Sequence, residues 1–292
     1  MLIIGSRGSQ LALWQAHFIA GQLNEMGVTS RIEIIKTTGD HLQTASLTQS
    51  GGKGLFTKEI EEALLRGQID LAVHSLKDLP TESPAGLTIA AVPLRANPFD
   101  AMIGSRLADL AAGALVGTSS PRRSAQLRLR RPDLRFEAIR GNVDTRLRKL
   151  HNGEFQAILL AAAGLERLGL QHEIAEVFAP EELCPAPGQG ALGIQTRVND
   201  EAGTICAQLD HEPTSQAVRA ERAVLAGLGG GCQLPVGAYA VVKNELLSLA
   251  SVVVAEQAAA IRAHIEGRAQ DAEELGRAVA ADLLAQGAGC LR

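Results

Sequence analysis

The sequence predicts an α/β protein, with two successive α/β units followed by a small α+β domain. Three observations carry this expectation. Short apolar segments alternate with amphipathic helical patterns through the first two thirds of the chain. Turn-rich stretches at Pro93–Pro98 and Pro185–Gly188 punctuate that alternation, and beyond residue 214 the pattern changes to consecutive strands. Length agrees, because 292 residues at about 150 per domain give roughly two domains with room for a third small one.

Taken in order, Leu2–Gly5 is a short apolar strand. Ser9 then offers an N-cap to a helix whose Leu13, Trp14, Ala16, Phe18, Ile19 and Leu23 form an apolar stripe, ended by Gly27. Arg31–Thr37 alternates at Ile32 and Ile34 as a strand. After a polar stretch from Thr38 to Gly54, a short helix around Thr57–Arg66 stops at Gly67, and Ile69–His74 reads as a buried strand. This βαβα order predicts a largely parallel sheet. A second unit repeats it: Leu115–Gly117 is a strand, Ser120 and Pro121 start a helix as N-cap and N1, and Phe136–Ile139 and Gln156–Ala161 are further strands. Ala191–Thr196 is expected to return to the first unit. The boundaries are then 1–93 with 191–210 for domain 1, 94–190 for domain 2 and 211–292 for domain 3, with a ligand cleft between the first two. In domain 3, helix Thr214–Leu228 leads to Gly229-Gly230-Gly231-Cys232. Val236–Val242, Leu246–Val254 and Ala258–Glu266 follow as antiparallel strands before a last helix, Asp271–Gln286.

Composition excludes several classes. With 46% hydrophobic and 21% charged residues the chain has enough apolar material for a core, and no apolar run approaches the ~20 residues of a membrane span. The few apolar residues before Gly5 fall short of a signal-peptide core of about 7–15, and Cys184, Cys206, Cys232 and Cys290 are spaced for neither a redox pair nor zinc. A cytoplasmic protein with reduced thiols and no metal is expected.

Charge is unevenly placed. Ten basic residues against three acidic ones lie between Pro121 and Lys149, a local +7, which leaves −11 for the rest of a chain whose formal charge is −4. Nine of the ten are arginines, whose planar fork suits carboxylate or phosphate, and Arg122, Arg123 and Arg140 follow predicted strands where α/β sheets hold ligands. A solvated helix face is the other reading. Nucleic acid is disfavoured by an aromatic content of 3% and the lack of a binding motif. At the end of another predicted strand, His74-Ser75-Leu76-Lys77-Asp78 sets four polar side chains in five positions, and Asp78 is either a general acid/base or a helix N-cap. Cys232 after three glycines is a nucleophile, an attachment point or an inert buried thiol. Gly51-Gly52-Lys53-Gly54 lacks the spacing of a nucleotide P-loop.

Seven segments, in order, resemble the motifs of the porphobilinogen deaminase (hydroxymethylbilane synthase) family. They are Gly5-Ser-Arg-Gly-Ser-Gln-Leu-Ala-Leu-Trp14, Gly51-Gly-Lys-Gly-Leu-Phe-Thr-Lys-Glu59, Ala72-Val-His-Ser-Leu-Lys-Asp-Leu-Pro80, Gly117-Thr-Ser-Ser-Pro-Arg-Arg123, Arg140-Gly-Asn-Val-Asp-Thr-Arg146, Pro187-Gly-Gln-Gly190 and Gly230-Gly-Cys-Gln-Leu-Pro235. The resemblance implies two lobes like periplasmic binding proteins plus a third domain. It also implies condensation of four porphobilinogen molecules into hydroxymethylbilane with release of ammonia. In the family the chain grows on a dipyrromethane cofactor held by a thioether to a cysteine, here Cys232. The catalytic aspartate falls on Asp78, with Lys77 beside it, assisting loss of the aminomethyl nitrogen and stabilising the azafulvene cation. Binding roles fall by motif on Arg7, Ser9, Lys53, Lys58, Ser75, Lys77, Thr118, Ser119, Ser120, Arg122, Arg123, Arg140, Arg146, Arg167 and Gln189, with Phe56 as a stacking partner for the cofactor. Arg128, Arg130, Arg131, Arg135 and Arg148 match nothing in the family's site and are assigned to the surface. The implied partner is porphobilinogen alone, with neither nucleic acid nor membrane, and the implied state is a cytoplasmic monomer. Pro121 departs from the Leu of many relatives, and at helix position N1 it suits the fold.

Overall fold

The computed structural model describes residues 1–37, 57–229, 235–254 and 260–290. The chain divides into two compact units, Met1–Arg95 with Ala191–Ser215 and Ala96–Gly190 with Gln216–Arg292.

In the first unit, strands β1 (Leu2–Ser6), β2 (Ser30–Ile34), β3 (Leu71–Ser75), β4 (Leu87–Ala91) and β10 (Leu192–Arg197) form one sheet in the order β2-β1-β3-β10-β4. Strands β1, β2 and β3 are mutually parallel, whereas β10 runs antiparallel to both β3 and β4. Half of the neighbouring pairs are therefore antiparallel, which corrects the expectation of a largely parallel sheet. The reason is topological: β10 enters from a distant part of the chain, so no βαβ crossover dictates its direction. Helix α1 (Gln10–Glu25) covers one face, with Ala16, Ile19 and Leu23 packed on Ile4, Leu71 and Val73. Helix α2 (Lys58–Leu65) covers the other, with Ile60, Ala63 and Leu64 on Ile69, Ala72 and Leu87. The alternation of Leu71 and Val73 against Ala72 is the period of two that a doubly covered strand requires. Both helices end in a Schellman arrangement. Val28 N donates to Leu23 O and Gly27 N to Asn24 O; Gln68 N donates to Ala63 O and Gly67 N to Leu64 O.

The second unit contains a sheet of the same plan, β7-β6-β8-β5-β9, from β5 (Asp100–Ile103), β6 (Leu115–Gly117), β7 (Arg135–Glu137), β8 (Ala157–Ala161) and β9 (Ile174–Val177). Strands β7, β6 and β8 are parallel, and β5 is antiparallel to its neighbours β8 and β9. Helix α3 (Pro121–Arg130) buries Leu127 against Met102, Val116 and Leu159. On the opposite face, α4 (Val143–His151) and α5 (Ala162–Arg167) bury Leu147, Leu150 and Leu165 against Ala101, Ile103, Ile158 and Leu160. A short helix α6 (Glu201–Cys206) follows β10.

The C-terminal part is a smaller α+β domain. Strands β11 (Val236–Lys243), β12 (Leu246–Val253) and β13 (Ile261–Arg268) are antiparallel, and helices α7 (Glu212–Gly227) and α8 (Ala272–Ala285) supply Val224, Val279 and Leu283 to its core. The β11–β12 turn is two residues long, with Asn244 and Glu245 both at positive φ (48° and 64°), as a type I′ hairpin demands. Among the described residues no helix is long and apolar enough to cross a membrane.

Candidate active site

In the first unit the polar residues singled out by sequence gather where β1 and β3 end. Arg7 directly follows β1, and Ser9 caps α1, its Oγ accepting from Ala12 N at 3.3 Å. Ser75 closes β3, and its Oγ accepts from Gln15 Nε2 of α1 at 2.8 Å. Leu76–Asp78 then makes one 3-10 turn, fixed by Leu76 N to Ala191 O (3.0 Å) and Leu79 N to Leu76 O (3.2 Å). Because β1 and β3 are parallel neighbours, their carboxyl ends present Arg7, Ser75, Lys77 and Asp78 at one sheet edge. Asp78 is exposed and Lys77 half-buried, and no helix follows, so of the two sequence readings of Asp78 the N-cap is eliminated. Lys58 opens α2 and is exposed.

Beneath that turn lies a polar chain that sequence reasoning missed. His74 Nε2 is 3.1 Å from Gln195 Oε1 on β10, and Gln195 Nε2 donates to Glu61 Oε1 on α2 at 3.4 Å. With the amide nitrogen directed at Glu61, the amide oxygen faces His74, so Nε2 of the imidazole carries the proton. Burial lowers the His74 pKa to about 4, partly countered by the Gln195 bond, and the ring is neutral at physiological pH.

The second unit gathers a different set. Ser120 caps α3, accepting from Arg123 N at 3.4 Å; Ser120 N donates to Thr118 Oγ1 (3.2 Å), and Ser119 Oγ donates to Ile139 O (2.7 Å). The hydroxyls of Thr118–Ser120 thus shape the loop between β6 and the N-terminus of α3, a position where backbone dipoles favour anions. Arg122 and Arg123 turn inward, at only 4% and 7% exposure, and meet Asp100, which is fully buried. Arg122 Nη1 and Nη2 reach Asp100 Oδ2 and Oδ1 at 2.6 and 3.2 Å. Arg123 Nε and Nη2 reach Oδ1 at 2.8 and 2.7 Å, and Gln189 Nε2 donates to the same oxygen at 2.9 Å. Arg122 also donates to Cys184 O and Arg123 to Leu159 O. Burial pushes the Asp100 carboxyl up, but the two guanidiniums outweigh it and hold the group well below the usual carboxylate range.

Arg140 lies in the loop before α4, Arg146 in α4 and Arg167 at the end of α5. Arg146 Nε donates to Gly141 O (2.9 Å), and Arg167 Nη2 to Gly190 O (2.7 Å). Arg140 and Arg146 are half-buried, and burial pulls Arg167 down to about 10, still cationic at neutral pH. Gly190 sits at φ +83°, and a Cβ there would lie 2.6 Å from Ala96 O, so only glycine fits. Gly188 N donates to the buried carboxylate of Glu221, which also accepts from Ala240 N. Four of the arginines assigned to the surface have surface partners: Arg130 pairs with Glu182, Arg131 with Asp133 and Arg135 with Glu137, and Arg128 lies over the Phe136 ring.

Lys53, Phe56 and Cys232 lie outside the described residues. Burial pushes the Cys184 thiol up to about 12 and Cys206 up to about 11, so both are protonated, unreactive thiols. Asp100, Gln195 and Glu61 gave no local pattern. The available signal was indirect, since a buried Arg-Arg pair needs an anion and Asp100 is an acid heading the apolar run Ala101–Ile103.

Comparison with known proteins bears directly on this arrangement. The family description "Porphobilinogen deaminase, dipyromethane cofactor binding domain" matches residues 2–204, and "Porphobilinogen deaminase, C-terminal domain" matches residues 215–285. A porphobilinogen deaminase of Thermus thermophilus is 51% identical over 98% of this chain and 96% of its own length. One from Geobacter metallireducens is 48% identical over 98% and 92%. Among solved structures, a periplasmic substrate-binding protein of an ABC transporter from Coxiella burnetii is similar at a TM-score of 0.45 and 13% identity, covering 76% of this chain and 97% of that one. The chain belongs to the porphobilinogen deaminase family.

Proposed function

We propose that the chain is a hydroxymethylbilane synthase, a transferase that joins four porphobilinogen molecules head to tail with loss of ammonia, on a dipyrromethane primer bound through a thioether to Cys232. The observation that carries this reading is the match of the cofactor-binding family over residues 2–204, which spans both Asp78 and the arginine set. The residues present suit a ligand rich in carboxylates: Arg140, Arg146 and Arg167 are half-buried, and guanidinium donors bind planar anions bidentately. When bound, the primer supplies the end on which the chain is extended.

Every other role belongs to this chain's own side chains. Asp78 Oδ, exposed at the tip of the turn after β3, hands a proton to the departing amine, faces the cation left on the substrate, and takes up the pyrrole α-proton once the new bond has formed. Lys77 and Arg7 hold carboxylates of the incoming substrate at the same strand ends. A lone carboxylate among cations has to be rigidly aimed, and the anchoring of its turn to Ala191 O supports that aim. The division into domains 1–93 with 191–210, 94–190 and 211–292, supported by the three separate sheets, is part of this proposal, as are a cytoplasmic monomer and the absence of nucleic-acid partners.

The test is the intact denatured mass of protein purified from cells that make porphobilinogen, with peptide mapping around Cys232. An excess of two linked pyrrole units on Cys232 is expected. An unmodified thiol that stays unmodified after addition of porphobilinogen would replace this reading with a non-catalytic anion-binding protein.

A further inference from the structure

Resting on the proposed activity, we infer that Asp100 is a positioning residue for substrate binding: one buried carboxylate that orients Arg122, Arg123 and Gln189 from two distant parts of the sequence. Asp100 is the first residue of β5, opposite Ala161 of β8, and is fully buried. Its two oxygens accept from both guanidiniums and from Gln189 Nε2, all within 3.2 Å. A carboxylate has about four acceptor positions, so these donors saturate it, whereas a guanidinium carries five N–H groups and each arginine keeps donors beyond those given to Asp100. Long side chains otherwise lose rotamer freedom on binding a ligand. Here that freedom is already removed, because Arg122 is forked on Asp100 and also bound to Cys184 O, Arg123 is also bound to Leu159 O, and Gln189 to Pro98 O. Gln189 further accepts from Arg123 Nη2 at 3.5 Å, which closes the set into one network. Asp100 is too deeply enclosed by its own donors to serve as a proton carrier, so its effect falls on binding and not on the chemistry at Asp78.

The experiment is a KM-against-kcat comparison on holoenzyme. Asp100→Asn keeps the shape and removes the charge. The expected result is a KM for porphobilinogen raised at least about 10-fold, from the rotamer freedom returned to three side chains, with kcat changed less than about threefold. Leaving two guanidiniums around a neutral amide also threatens folding. The double variant Asp100→Asn/Arg123→Gln therefore removes one charge of each sign, and its KM should rise by less than the product of the two single effects, because part of the effect of Asp100 runs through Arg123 and the rest through Arg122 and Gln189. A KM unchanged in Asp100→Asn despite a lowered melting temperature would overturn the inference, as would KM effects that multiply in the double variant. Wild-type protein that releases no ammonia from porphobilinogen and carries no adduct would instead overturn the proposed activity, and this inference with it.

Discussion

The two five-stranded sheets share a strand order, yet one interior holds a polar chain built around an uncharged imidazole and the other holds a carboxylate clasped by two guanidiniums. In the first unit His74, Gln195 and Glu61 run from strand to strand to helix beneath the turn of Asp78, and the imidazole is uncharged. In the second, Asp100 is clasped by Arg122 and Arg123. What the difference teaches is a division of labour on one plan. Topology places polar groups at the carboxyl ends of parallel strands, and in the proposed function the buried partners beneath distinguish an end that handles protons from one that anchors anions.

The sharpest way to break the comparison is at the exposed tips. Asp78→Asn should slow turnover about 10²- to 10⁴-fold while leaving the mass adduct on Cys232 in place, measured by product formation and intact mass. Near-normal turnover would remove the first unit's claim to the chemistry. Next in size, Arg122→Ala should destabilise the fold by about 3–5 kcal/mol in denaturant unfolding, because Asp100 keeps its charge and loses its bidentate partner. Arg130→Ala, at the half-exposed pair with Glu182, should cost under about 1 kcal/mol. Equal effects would mean that the second interior is not charged in the sense argued.

A pH titration separates the two interiors directly. His74 has a folded pKa of about 4 against 6.5 for the free side chain, so between those values the unfolded chain binds more protons and stability falls as pH falls. Over that window the loss amounts to about 3 kcal/mol, and His74→Gln should flatten it. Asp100 behaves otherwise: its depressed pKa gives stability that is complete above the ordinary carboxylate range and is lost only as pH drops below it. Amides of β3 and β10 should therefore lose hydrogen-exchange protection at milder acidity than those of β5 and β8. Smallest of all, Ser9→Ala should cost about 1 kcal/mol by removing the cap on Ala12 N, read from the denaturation midpoint.

Much of this was legible in the residues. Ser9 and Gly27 bracket α1 as capping chemistry requires, Ser120 and Pro121 start α3, and the three C-terminal strands alternate with the period of a half-covered sheet. Strands β4, β5 and β9 were not legible; β5, four residues buried throughout, has no alternation to betray it. The same limit applied to the site. Polar residues crowded at strand ends marked Asp78 and the arginines as candidates, whereas Asp100 and Glu221 act through partners more than 15 residues away, and separation in sequence leaves no local period.

The insertion of β10 between β3 and β4 also has a consequence for synthesis. Among the described residues, strand β4 pairs with β10 and with no other strand of its sheet. When Ala91 has been made, its partner, Leu192–Arg197, is still about 100 residues in the future, roughly 5–20 s at ribosomal speeds of about 5–20 residues per second. Through that interval β3 presents an open edge of unpaired N–H and C=O groups, the kind of template that invites pairing with another nascent chain. The first lobe to be translated is thus the last able to close, and the five strands of the second, all contained between residues 100 and 177, can pair while the first still waits.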